Sequence, residues 1–246
     1  MAKNGGEVKQ GVRKIAWLAA VACICLAPTA SADTVDMKMI GLGNMNAMAG
    51  DYMNPYTATV NGVTTTIICD DFAAVTYLNE TWQATTHTLA DLSGTRWGGV
   101  PDALHLYNAA AYLTLQLLDP NITKVTQGEI SFAIWGLFTP SAITTNLASY
   151  SPAYAKAATQ YINTALAATT NSIMDQFSNF VIYTPIAGTA ANCWGAKCTA
   201  PPQEFLAIAG STIRTPETAS LPILAFNLLA VIGVIAFLRR RMVSVE

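Results

Sequence analysis

The sequence predicts an α+β fold: a β-strand-rich sandwich- or barrel-like part, a block of about three helices, and a C-terminal transmembrane helix. Three observations predict it. Runs of β-branched and aromatic residues with turn signals fill 33–90 and return near 180 and 205. A 3.6-residue apolar period replaces them from Pro101 to about Ala168. Apolar blocks flanked by basic residues stand at both ends of the 246-residue chain.

Residues 1–32 read as a secretory signal peptide. Lys3, Lys9, Arg13 and Lys14 precede the 13-residue apolar run from Ile15 to Ala27, which is too short for a comfortable span. Pro28 breaks the run, and Ala30-Ser31-Ala32 places small residues at −3 and −1 of a cleavage site. The expected mature N-terminus is Asp33. An uncleaved anchor and a lipoprotein acylated at Cys23 or Cys25 are the other readings of this end.

The segment 33–209 is expected to be the extracytoplasmic domain. Thr57–Val60 and Val63–Cys69 are strands separated by Asn61-Gly62, a strong hairpin signal. Trp82–Leu89 reads as a further strand. The pattern Ala103-Leu104…Tyr107…Ala110-Ala111…Leu115…Leu118 suits an amphipathic helix ending before Pro120. Thr126 is placed to cap a second helix over 127–138, with Glu129 at its third position and Pro140 beyond its end. Ser151-Pro152 opens a third helix to about Ala168. Asn179–Tyr183 and Phe205–Ile208 return to strand character.

Residues 210–220 form a linker. Leu221 to Leu238 is an 18-residue apolar run, about 27 Å as a helix, enough for a thin bilayer. The tail 239–246 begins with Arg239, Arg240 and Arg241, which stay cytoplasmic by the positive-inside rule and place the preceding domain outside.

Apolar residues make up 52% and charged residues 11% of the chain, against about 25% charged in ordinary soluble proteins. Residues 33–215 hold six Lys/Arg and twelve Asp/Glu, a net charge of −6. An acidic, lysine-poor domain has no electrostatic footprint for nucleic acid, which excludes that class of partner.

Three cysteines remain after signal-peptide removal. Cys193 and Cys198 flank a four-residue loop and are expected to pair in an oxidising compartment. A metal site needs two more ligands, and no pair is apparent; no cofactor is implied. Cys69 is left over, following an apolar strand and preceding Asp70-Asp71. It is either a buried inert thiol or a reactive centre. The adjacent carboxylates raise a thiol pKa, which argues against a thiolate nucleophile. His87 and His105 have no motif context and read as structural.

Pro216-Glu217-Thr218, the apolar span and the terminal arginine cluster together resemble the PEP-CTERM sorting signal of Gram-negative bacteria, with Thr218 in place of the second Pro. The resemblance covers about 30 residues. It implies a temporary anchor, processing near Pro216-Glu217 by exosortase, export through the secretion machinery, and residence at the cell surface or in an exopolysaccharide or biofilm matrix.

Ile68-Cys69-Asp70 with a later Ala133-Ile134-Trp135 resembles the thioester domains of bacterial surface adhesins. In that family the Cys bonds to a Gln two residues before the Ala of the helical motif. Here that position is Ser131, which has no carboxamide to acylate the sulfur. Gln127, one helical turn earlier on the same face, is the other candidate partner. The resemblance implies a related fold with the covalent bond lost and Cys69 buried near Ser131.

The function expected from these readings is a non-enzymatic, exported surface or matrix protein that binds exopolysaccharide or another surface component. One rival is a covalent thioester adhesin using Cys69 and Gln127. A second is an extracytoplasmic hydrolase drawing on Asp70, Asp71 and Glu129, although side chains at adjacent strand positions diverge.

Overall fold

The computed structural model describes residues 33–170, 177–193, 198 and 200–209. The expected signal peptide 1–32, the sorting motif expected at Pro216-Glu217-Thr218, the expected span 221–238 and Arg239–Arg241 lie outside the described residues. Among the described residues, no helix is long and apolar enough to cross a membrane.

Among the described residues eight strands form: β1 (Thr34–Gly41), β2 (Ala47–Met48), β3 (Asp51–Tyr52), β4 (Tyr56–Val60), β5 (Val63–Cys69), β6 (Thr81–His87), β7 (Phe180–Pro185) and β8 (Phe205–Ile208). Six of them close a barrel in the order β1-β4-β5-β8-β7-β6, and β2 and β3 make a separate two-stranded ribbon. Closure removes the exposed edges that an open sheet would present. In β1, Val35, Met37 and Met39 are buried and their neighbours exposed, the period-two signature of a strand with one face inward. Asn61 and Gly62 both take positive φ, +48° and +81°, the mirror-image turn that suits strand twist in a two-residue hairpin between β4 and β5.

The helices are inserted in the chain between β6 and β7. They are α1 (Ala103–Leu117), α2 (Lys124–Phe138), α3 (Ala148–Tyr150) and α4 (Pro152–Ala168), with a π-helical stretch over Ala142–Leu147 leading into α3. Among the described residues the three expected helices all form, as α1, α2 and α4, and the three-residue α3 adds a short turn because helical winding resumes just after Pro140. The second helix also starts earlier than expected. Thr123, not Thr126, is its N-cap, and the Thr123 hydroxyl oxygen accepts from the Thr126 N–H at 3.0 Å. Ser151 caps α4 with Pro152 in its first turn.

Helix α2 is the spine of this layer. From Ile130 to Leu137 every residue is buried, and it packs against both α1 and α4. Trp135 meets Phe132 and Phe72 at ring separations of 5.0 and 5.4 Å, and Phe138 meets Tyr107 at 5.0 Å. Inside the barrel, Phe205 contacts Tyr56 and Trp82. Strand alternation sends Ile68, Ile182 and Leu206 to the opposite face, yet they too are fully buried. That face of β5, β8 and β7 is therefore covered, and the ends of its strands carry the polar cluster described next.

Candidate functional site

The chain turns sharply at Cys69-Asp70-Asp71, just past β5, and all three residues are fully buried. Asn54 holds the first of them from both sides. Its Oδ1 accepts from the Cys69 N–H at 2.7 Å and its Nδ2 donates to the Cys69 carbonyl at 3.0 Å. A side-chain amide thus stands in for β4, whose pairing with β5 ends at Tyr56↔Ile67, while β8 flanks the other edge. The Cys69 sulfur folds back on the turn, 3.3 Å from both the N–H and the carbonyl oxygen of Asp71. Burial, reinforced by the charges of Asp70 and Asp71, pushes the thiol well above its usual pKa. A protonated thiol without access to solvent is a poor nucleophile.

Asp70 and Asp71 diverge. Asp71 Oδ1 accepts from the N–H groups of Ala73 and Ala74, and Oδ2 forms an ion pair with the Arg96 guanidinium. Burial still raises the Asp71 pKa, more than Arg96 lowers it. Asp70 points the other way, toward Glu204. Asp70 and Glu204 stand just past the last registered pair, Cys69↔Phe205, and their carboxyl groups interact. Glu204 is fully buried and well supplied with donors. Its Oε1 accepts from the Tyr107 hydroxyl at 2.5 Å, and its Oε2 accepts from the Arg96 N–H at 2.8 Å and from the Thr184 hydroxyl. Neither Asp70 oxygen has a donor among the described residues. Burial first, then the facing Glu204 and the adjacent Asp71, raise the Asp70 pKa well above its usual value.

Two of the sequence candidates on α2 are tied to this turn indirectly. The Gln127 amide donates to the Asn54 carbonyl at 2.5 Å, and its Oε1 accepts from Asn46 at 3.3 Å. Its carboxamide is therefore engaged by the backbone of the residue that clamps Cys69. Ser131 is fully buried and donates to the Gln127 carbonyl of its own helix at 2.8 Å. One turn further along the same face, Trp135 brings its indole N–H to the neighbourhood of the Cys69 sulfur, without a hydrogen bond of ordinary geometry. Glu129, two residues before Ser131, projects from the opposite side of the helix and influences Tyr161 of α4. The third carboxylate of the hydrolase reading thus stands on the wrong face to join Asp70 and Asp71.

Cys193 and Cys198 are bonded, with Cα atoms 5.5 Å apart. Glu80 lies 3.1 Å from the Cys193 sulfur. These three are the one His/Cys/Asp/Glu group among the described residues compact enough to hold an ion, and the disulfide consumes two of its donors. His105 bonds to the Leu166 carbonyl at 2.9 Å, and His87 pairs with Thr85 while burial lowers its pKa.

Sequence reasoning missed Asn54, Arg96, Tyr107, Thr184 and Glu204. The one legible signal was Glu204, a lone acid directly before an apolar strand in a lysine-poor chain. Its partner could not be read, because β5 and β8 meet only in three dimensions. No family of known proteins, no curated protein and no solved structure matches this chain.

Proposed function

We propose that this is a non-enzymatic, exported surface or extracellular-matrix protein of a Gram-negative bacterium. It is held in the inner membrane by its C-terminal span, processed near Pro216-Glu217 by exosortase, and binds exopolysaccharide or another surface component without forming a covalent bond. The observation that carries the non-covalent reading is the state of Cys69: its thiol is fully buried, hydrogen-bonded to its own turn and raised in pKa, while Ser131 stands in the helical motif where an acyl donor would be Gln. Exposed aromatic side chains support sugar binding. Tyr150 is 60% exposed and its ring lies 6.2 Å from that of Tyr154, a surface on which a pyranose ring can stack. The acidic domain favours neutral rather than anionic polysaccharide.

The test is incubation of the purified exported chain with matrix polysaccharide, read by co-sedimentation and intact mass. Binding is expected to reverse on dilution and to survive Cys69→Ala. A chain lighter by one ammonia, or an adduct that persists in denaturant and is lost in both Cys69→Ala and Gln127→Ala, replaces this reading with the covalent adhesin through Gln127.

A further inference from the structure

Asp70 and Glu204 face each other across the β5–β8 pair, both fully buried. Like charges directly opposite on neighbouring strands repel, and burial removes the water that would screen them. The hydrogen bonds show how the pair is tolerated. Glu204 accepts three donors, from Tyr107, Arg96 and Thr184, so it is the member built to carry the negative charge. Among the described residues Asp70 accepts none, and one of its two oxygens gains a partner if it carries a proton and donates it to Glu204. A metal ion in place of that proton does not fit, because N–H and O–H donors already point at Glu204 and the Arg96 guanidinium sits beside Asp71.

The location makes this proton consequential. β8 meets β5 at only two registered pairs, against four with β7. The β5–β8 seam is thus the short one, and one of its two pairs is Cys69↔Phe205. We propose that the Asp70–Glu204 pair is a proton-operated latch on the β5–β8 seam, closed while the two carboxyls share one proton and opened when that proton leaves, which uncovers Cys69.

The other titratable groups facing the pair are few. Asp71, adjacent to Asp70, is neutralised by Arg96. Cys69 precedes it, and burial with the neighbouring Asp70 and Asp71 keeps its thiol protonated. Tyr107 of α1 donates to Glu204 and stays protonated, since burial raises its pKa further. His87 of β6 interacts with Glu204, and burial lowers its pKa, so it carries no charge from about pH 7 upward. Asp70 is therefore the group whose proton loss adds an uncompensated buried charge.

The experiment follows hydrogen exchange at the β5–β8 amides of the purified full chain, corrected for intrinsic rates, from about pH 5 to about pH 9. Opening that releases one proton lowers protection about tenfold per pH unit across the titration window. That fall is expected at the seam and not at the β4–β5 hairpin. Asp70→Asn keeps a neutral donor toward Glu204 and is expected to abolish the fall. Infrared spectra of the unmodified chain provide a readout independent of that variant: a carboxylic-acid C=O band is expected at neutral pH and should vanish in step with seam protection. The proposal is overturned if no acid band exists at neutral pH, if folded Asp70→Asn keeps the same slope, if protection falls equally over the whole barrel, or if a chelator opens the seam at constant pH.

Discussion

Asn54 contributes two hydrogen bonds to one buried peptide segment, which makes it more important to the turn than Cys69 itself. Asn54→Ala leaves a buried N–H and a buried carbonyl unpaired, and the expected loss is about 2–4 kcal/mol of unfolding free energy. Cys69→Ala removes one sulfur from a packed site and is expected to cost about 1 kcal/mol. Urea denaturation of the two variants checks the ranking. Rapid alkylation of native Cys69 near neutral pH would contradict its burial and raised pKa. At Arg96, substitution by Met is expected to cost about 3 kcal/mol, because it strands the buried Asp71 carboxylate. Partial retention of the guanidinium in solvent, with the side chain 28% exposed, keeps that figure at the low end of the buried-pair range.

At the scale of elements, the N-terminus of α2 separates what spacing suggests from what geometry selects. Thr123 and Thr126 are both plausible caps by composition, but only Thr123 takes the extended backbone that turns its hydroxyl onto the first turn. Thr123→Ala is therefore expected to cost about 1 kcal/mol, and Thr126→Ala only a few tenths, as measured by the shift in denaturation midpoint. The turns on either side of β2 offer a second contrast. Gly43 has φ +51°, and a Cβ there would lie 1.8 Å from the Met53 carbonyl oxygen. Gly50, at φ +94°, has nothing within 4 Å of the same added atom. Gly50→Ala is expected to cost about 1 kcal/mol in backbone strain alone, and Gly43→Ala clearly more, since backbone must move.

Across the whole molecule, burial of acids sets the pH response. Asp51, Asp70, Asp71, Glu80 and Glu129 all have raised pKa values, with burial the leading cause in each. An acid raised in the folded state binds a proton that the unfolded chain has released. Its contribution is complete below the unfolded pKa of about 4 and is lost as pH rises through the folded value. His87 acts in the opposite sense: its lowered pKa removes stability as pH falls below about 6.5. Asp91, exposed and lowered by its hydrogen bonds from Ser93, acts in the same sense as His87 but weakly, so the five raised acids dominate and thermal midpoints are expected to decline as pH rises above about 4. A midpoint that rises steadily between about pH 6 and about pH 9 would contradict this linkage. The Cys193–Cys198 bridge adds a separate increment. Closing its short ring is expected to contribute about 2 kcal/mol, seen as a lower midpoint under reducing conditions.

The sequence by itself determined the α+β class, the β4–β5 hairpin through Asn61-Gly62, the three long helices, and the pairing of Cys193 with Cys198. Each depends on residues close together in the chain, where period, turn chemistry and spacing act directly. Closure of the barrel was decided only by tertiary structure, since β8 must find its place between β5 and β7 after the whole helical layer has been inserted. The Asp70–Glu204 pair and the Asn54 clamp belong to the same category. Isolated acids and amides carry no periodic signal, and their chemistry exists only once strand register and burial have brought distant segments face to face.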